Sequence, residues 1–254
     1  MKHPDTNLRP SAECRLIIIQ DQLQPCPYLS HTVARMPLRL PIGKLSGDMT
    51  DSLLALGYRR SGDFVYRTQC PQCVACEPTR VLVDEFRWTT SMRRVLKRGD
   101  ANLRVEIGPV KSDPSRIQLF NLHRQLRHLA RDEEPVDEEG YRSFLVESCC
   151  DTFELSFWLG PKLAAVSVVD QGTQSLSAVY TYFDPALSKY SLGTYSILKQ
   201  FEQAQQLQLQ YVYLGMYVAQ NKHLNYKARF MPQQRFIAGQ WHVFRDQSNS
   251  VEGE

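Results

Sequence analysis

The spacing of apolar positions splits the chain into a first part of short, irregular elements and a second part with a regular β pattern. Residues 1 to 13 are polar and show no period; Cys14 to Ile19 is then a short apolar run of strand type. Residues 30 to 47 again have no clear period. From Asp48 the segment DMTDSLLALGY predicts a capped helix ending at Gly57, with Met49, Leu53 and Leu56 on one side. A turn at Ser61 and Gly62 leads into a strand from Asp63 to Arg67, and Thr79 to Asp84 reads as another. SMRRVLKRGD predicts a helix capped by Ser91 and stopped at Gly99, and Leu103 to Ile107 a further strand. A long helix follows, with Asp113 as N-cap, Pro114 in the first turn, and Leu119, Leu122, Leu126 and Leu129 on one face. His123 and His128 lie on it without a companion at metal-ligand spacing, so they read as packing or surface residues. The acidic run from Asp132 to Glu139, broken by Pro135, marks a loop, and a second helix runs from Asp137 to Cys149.

Beyond this point the pattern is β. Thr152 to Leu159, Leu163 to Asp170 and Ser175 to Phe183 form a predicted meander, with Leu176, Ala178, Tyr180 and Tyr182 on one face of its third strand. A helix from Ser191 to Leu207, a buried-type strand from Gln210 to Gly215, a short helix in HLNYKARF and two closing strand pieces complete the series. This order is that of an α+β, acetyltransferase-like (GNAT-type) catalytic core. It gives two expected domains, a Cys-rich basic one over 1–110 and the acetyltransferase-like one over 111–254. Such cores cradle a coenzyme pyrophosphate on the N–H groups of a turn with several glycines, and only Gly193, in YSLGTY, is available for that.

Charge changes the picture more than composition does. The hydrophobic content of 43% is enough for ordinary cores, and no run approaches a membrane span. The start, MKHPDTNLRP, lacks the apolar stretch of a signal peptide, which sets the cytoplasm as the expected location, with no membrane partner. The net charge of +3 conceals an asymmetry: residues 1–130 hold 20 Lys and Arg against 12 Asp and Glu, residues 131–254 hold 10 against 15. A basic half points to a polyanion, and Arg93, Arg94, Lys97 and Arg98, at helical spacing, are candidates to grip phosphates; a solvated helix surface is the alternative.

Of the seven cysteines, Cys70, Cys73 and Cys76 recur at intervals of three in CPQCVAC, and Cys26, in PCPYL, is the natural fourth ligand of a soft metal site. A structural zinc, an iron–sulfur cluster and partly free thiols all remain open. Cys14, Cys149 and Cys150 read as small buried residues.

Taken together, PCPYL, RRSGDFVYR running into CPQCVACEPTRV, SMRRVLKR, VYTYFDP with SLGTYSIL, and YVYLGMYV with YKARFMP resemble the bacterial aspartate/glutamate leucyltransferases, relatives of the arginyl-tRNA–protein transferases. The resemblance runs from about Cys26 to Trp241 in the same order. Asn221 stands where relatives often carry a cysteine. The resemblance implies transfer of leucine from leucyl-tRNA to the N-terminal Asp or Glu of proteins, marking them for degradation, with no coenzyme. The basic helix would then hold tRNA. Tyr180, Tyr182 and Tyr226 are expected near the reacting groups, and Arg59, Arg60, Lys227 and Arg229 are the cations for the acceptor's acidic side chain, Lys227 being placed among the catalytic residues. Gly193 and Thr194, at the start of a helix, are expected to admit the ester end. Arginyl transfer, a coenzyme-A-dependent N-acetyltransferase and a non-catalytic nucleic-acid-binding module are the alternatives.

Overall fold

The computed structural model describes residues 15–129 and 134–246. The expected burial of Cys14 therefore lies outside the described residues. The first part contains β1 (Leu16–Gln20), β2 (Leu23–Pro25), β3 (Val33–Arg35), β4 (Leu38–Pro41), α1 (Gly47–Ala55), β5 (Arg59–Ser61) and β6 (Phe64–Tyr66). A four-stranded sheet has the order β1-β4-β6-β5, and β2 pairs with β3 alone. Ser46, two residues before the expected start, caps α1 by accepting from the Met49 N–H, and Gly57 ends it with φ +81°. Leu53 and Leu54 face inward, whereas Leu56, expected on that side, is the exposed C-cap residue.

Next come β7 (Glu77–Leu82), α2 (Thr90–Asp100), β8 (Arg104–Gly108), α3 (Pro114–Leu126) and α4 (Glu138–Tyr141), the last continued by a π-helical turn over Arg142–Val146. Thr89, not Ser91, caps α2. Gly99 is not its stop: it lies buried inside the helix, where an added Cβ would come within 2.2 Å of the Tyr195 ring. Asp113 caps α3 as expected, but the inward face is Arg116, Leu119, Phe120 and His123, while Leu126 is exposed.

The chain closes with β9 (Asp151–Leu159), β10 (Lys162–Gln171), β11 (Ser175–Phe183), a 3₁₀ segment over Pro185–Tyr190, α5 (Leu192–Gln206), β12 (Tyr211–Tyr217), a second 3₁₀ segment over Asn225–Arg229, and the hairpin β13 (Gln233–Ile237) and β14 (Gln240–Phe244). These form an eight-stranded sheet in the order β14-β13-β7-β12-β11-β10-β9-β8, a mixed α/β fold. β7 lies between β13 and β12, and β8 forms the far edge, so this sheet runs across the division expected at residue 110. The two strands flanking CPQCVAC, β6 and β7, belong to different sheets, which makes the cysteine stretch the passage between them.

One face of the large sheet packs against α2 and α5 through Phe157, Val169, Leu176, Phe201 and Val212; the other packs against α3 and α4 through Leu119, Phe120, Tyr141, Val166 and Tyr182. Leu176 and Tyr182 therefore sit on opposite faces, against the simple alternation. The cause is a bulge: Val168 pairs with Tyr180 and Val169 with Ala178, which leaves Val179 without a partner and inverts the faces. β12 carries a second bulge at Leu214, followed by Gly215 at φ +90°. The parallel register of β11 and β12 covers only Ser175–Ser177 against Tyr211–Tyr213, ahead of both bulges. Past them the strands part.

Candidate active site

A cavity of about 850 Å³ occupies the opening, with Ala178 to Thr181 and Phe183 of β11 and Leu214 of β12 in its wall. The end of α3, the 3₁₀ segment after β11, the start of α5, the 221–229 loop and the Pro27–Tyr28 turn supply the remainder. Arg127, Lys222, Lys227 and Arg229 line it together with His123, His128 and His223; among the described residues no carboxylate does. The interior therefore favours anions.

The first turn of α5 contributes Ser191, Leu192, Gly193 and Thr194. Ser191 has φ +51° and no side chain caps the helix, so its first N–H groups are available at the cavity wall. Gly193 allows the close approach of this turn to β11: an added Cβ would lie 3.3 Å from the Phe183 ring.

Lys227 is buried. Its Nζ donates to the Met216 carbonyl at 2.6 Å, and burial, then the nearby Arg59 charge, brings its pKa down to about 7. Its titration is thus brought toward the neutral range. Gly215 makes room for this pair of cations, since a Cβ there would lie 3.3 Å from both Lys227 Nζ and Arg59 Nη2. Burial pushes the Tyr226 hydroxyl up to about 12 and also raises Tyr180, while the Arg127 charge opposes both shifts. Both phenols stay protonated donors.

Three expected residues are placed elsewhere. Tyr182 is fully buried on the α3 side, and its hydroxyl meets that of Tyr141 at 2.6 Å. Arg60 is not open to an acceptor: it pairs with Asp170 at 2.9 Å and donates to the Gly62 and Glu147 carbonyls. Arg59 is also spent on structure, donating to Ser177 Oγ at 3.1 Å and to the Ala178 carbonyl at 2.6 Å, although it stays close behind Lys227. Arg229, by contrast, is exposed at the cavity rim.

Arg93, Arg94, Lys97 and Arg98 are exposed on α2. Arg98 Nη1 donates to the Lys189 carbonyl in the 3₁₀ segment whose Pro185, Leu187 and Ser188 line the cavity, so the basic helix abuts the cavity mouth.

The four cysteines gather at one place. Burial, then the neighbouring Cys26, Cys70 and Cys73, pushes the Cys76 thiol up to about 12. The Tyr28 N–H donates to Cys26 Sγ at 3.4 Å and the Arg35 N–H to Cys70 Sγ at 3.5 Å. The donor set is soft and without carboxylates, yet among the described residues no group of three or more Cys, His, Asp or Glu is arranged to hold a metal ion. Cys149 and Cys150 are buried in the small core beneath the four-stranded sheet, with Leu45 and Val65.

The model for "Arginine-tRNA-protein transferase, N terminus" matches residues 24–94, and that for "Arginine-tRNA-protein transferase, C terminus" matches residues 115–237. The aspartate/glutamate leucyltransferase of Chromobacterium violaceum is 38% identical over 217 residues, covering 85% of this chain and 89% of that protein. The chain belongs to the aspartate/glutamate leucyltransferase family. The Alcanivorax borkumensis leucyltransferase is 39% identical over 216 residues, with 85% and 89% covered. Among solved structures, L-PGS from Bacillus licheniformis aligns with a TM-score of 0.45 at 11% identity, over 69% of this chain and 61% of that one. FemX aligns with 0.43 at 8%, over 66% and 59%.

In this leucyltransferase family member the sequence pattern missed His123, Arg127 and His223. His123 and Arg127 sit one helical turn apart at the end of α3, a spacing the sequence does carry. His123 Nδ1 lies 3.0 Å from the Phe183 carbonyl, and burial brings its pKa down to about 4, so it is neutral. Asn221, the departure from the usual cysteine, clips the 221–225 loop to the cysteine region: its Nδ2 donates to the Tyr28 carbonyl at 2.8 Å, and its Oδ1 accepts from the His223 N–H at 2.8 Å.

Proposed function

We propose that the chain transfers leucine from leucyl-tRNA to the N-terminal Asp or Glu of a protein, in an acetyltransferase-like fold that takes an aminoacyl-tRNA in place of a coenzyme. The observation that carries this reading is the cavity itself: cationic, free of carboxylates among the described residues, opened by paired bulges in β11 and β12, and faced by the uncapped start of α5. It suits a carboxylate and a phosphate ester at once.

The ester is already activated. The acceptor amine attacks the carbonyl carbon, a tetrahedral oxyanion forms, the ribose oxygen leaves, and the amine gives up a proton as the amide forms. A cationic wall disfavours a protonated amine, which raises its nucleophilic fraction. Lys227, whose pKa burial brings down to about 7, is the proposed proton acceptor. The protonated hydroxyls of Tyr180 and Tyr226 and the N–H groups at Gly193 and Thr194 are donors to the oxyanion or to the terminal phosphate. Arg93, Arg94, Lys97 and Arg98 extend the positive surface along the tRNA backbone. The four thiols form a clamp outside the transfer step; zinc or an iron–sulfur cluster is the group such a soft donor set would take. Among the described residues no helix is long and apolar enough to cross a membrane. Use of charged tRNA sets the cytoplasm as the proposed location.

Purified protein incubated with peptides beginning Asp, Glu, Arg or Ala, and separately with leucyl-tRNA, arginyl-tRNA or acetyl-CoA, tests the proposal by mass spectrometry. Leucine added only to the Asp and Glu peptides is the expected result. Addition from arginyl-tRNA moves the reading to arginyl transfer, and no addition from either tRNA overturns it.

A further inference from the structure

We propose that Arg127 reads the acidic side chain of the acceptor, which makes it a specificity-determining residue for the leucyl transfer proposed above and rests on that reading. Arg127 is the C-cap residue of α3 and lines the cavity, with its guanidinium 5.7 Å from the centre of the Phe183 ring. Its Nη2 shares a hydrogen bond with His223 Nδ1 at 3.2 Å, and its Nε is buried with no hydrogen-bond partner. No carboxylate pairs with it among the described residues.

The buried guanidinium groups elsewhere are paired, although Arg60 also leaves its Nη2 without a partner. Arg60 pairs with Asp170, Arg116 with Glu154 and Asp113, Arg235 with Glu77, and Arg59 donates to Ser177 and Ala178. Arg127 alone of these keeps its charge turned to a ligand-sized space with no acid in its wall. A half-buried guanidinium with no acid beside it carries an uncompensated desolvation cost, and a carboxylate entering the cavity offsets that cost through charge-assisted hydrogen bonds. The Arg127 charge acts on both Tyr180 and Tyr226, so the three groups share one region of the cavity, where Lys227 also lies. An N-terminal residue whose amine faces Lys227 would thus present its own side chain to Arg127.

The same geometry is expected to disfavour the amides. A guanidinium has donors only, so Asn or Gln can offer it a single neutral oxygen and must turn an N–H₂ toward cationic groups. His223, accepting from Nη2, fixes the plane of the fork.

The test compares leucyl transfer to four matched peptides beginning Asp, Glu, Asn or Gln, using the full chain and its Arg127→Gln and Arg127→Lys variants at saturating leucyl-tRNA. Arg127→Gln is expected to lower kcat/KM for the Asp and Glu peptides about 100-fold while leaving the Asn and Gln peptides within about threefold, collapsing the acid-to-amide ratio. Arg127→Lys, which keeps the charge without the fork, is expected to restore part of the ratio, and it carries the test should the glutamine variant not fold. Leucyl-tRNA affinity is expected to stay unchanged in both. An intact acid-to-amide ratio in the variants overturns the proposal, and a fall in leucyl-tRNA affinity with that ratio intact assigns Arg127 to the nucleic acid instead. Absence of leucine transfer by the unmodified chain to any peptide would overturn the leucyl-transfer reading beneath it, a different result from either of these.

Discussion

Tyr182→Phe decides whether this tyrosine serves packing or chemistry. Its ring is closed in by Phe120 and Tyr141, and its hydroxyl reaches only the Tyr141 hydroxyl, at 2.6 Å. Removing that one hydroxyl loses the hydrogen bond and strands the other in the core, at a cost of about 1–3 kcal/mol. Removing both, with Tyr141→Phe as well, leaves two packed rings and no orphaned group. The double variant should therefore cost less than the two single changes added together, with a coupling of about 1–2 kcal/mol. In a chain of this size about 2 kcal/mol lowers the melting temperature by roughly 4–8 °C. Thermal and urea unfolding of the three variants measures the cycle, and leucyl transfer well below the transition measures the chemistry. Transfer is expected to hold within about twofold in Tyr182→Phe, because the residue stands outside the cavity. A variant as stable as its parent but slower by about tenfold would refute the reasoning.

Other predictions follow from single contacts. His123 is held neutral with a pKa of about 4, against 6.5 unfolded, so between these values the unfolded chain binds more protons. Stability should rise across that window by up to about 3 kcal/mol and be lost as pH falls through it; unfolding in a pH series should show this slope, and His123→Gln should flatten it. Gly99→Ala gains about 1 kcal/mol of helix propensity but sets a methyl against the Tyr195 ring, an overpacking cost of about 1–3 kcal/mol, so a net loss in denaturant midpoint is expected. Arg93→Gln with Arg94→Gln should weaken leucyl-tRNA binding and reduce the slope of log affinity against log salt by about 0.7–0.9 per lost contact. Cys73→Ser should lower thermal stability, and any zinc or iron content found by elemental analysis, before it lowers turnover; lost turnover at unchanged stability would place the cysteines in the reaction.

The strands and the long helices were legible because runs of β-branched and aromatic residues mark β9 to β11 and an Asp cap with Pro in the first turn marks α3, even where the inward face differs in detail. The site was not legible in the same way. It depends on two strands parting, which bulges at Val179 and Leu214 bring about by breaking the alternation that sequence reading relies on. A single unpaired residue put Tyr182 on the face opposite Leu176, where the alternation had set the two together. Gly99 resembled a helix stop because a close approach by Tyr195 leaves no trace in local spacing. Arg59 and Arg60 stood in the right blocks but spend donors on β10, β11 and nearby carbonyls, while Arg127, one more arginine on a basic helix to the eye, is set apart by its place in the cavity wall with no acid beside it among the described residues.

The place of β7 fixes an order of assembly. Both of its neighbours, β12 and β13, come from much later in the chain, so during synthesis this strand leaves the ribosome with two open edges. At ordinary elongation rates the gap between Leu82 and Tyr211 lasts roughly 6–26 s. All four thiols of the 26–76 region emerge before that wait begins. A cysteine clamp that closes early would hold the nascent β7 against the small sheet beside it and keep a strand destined for the centre of the molecule from pairing with another chain.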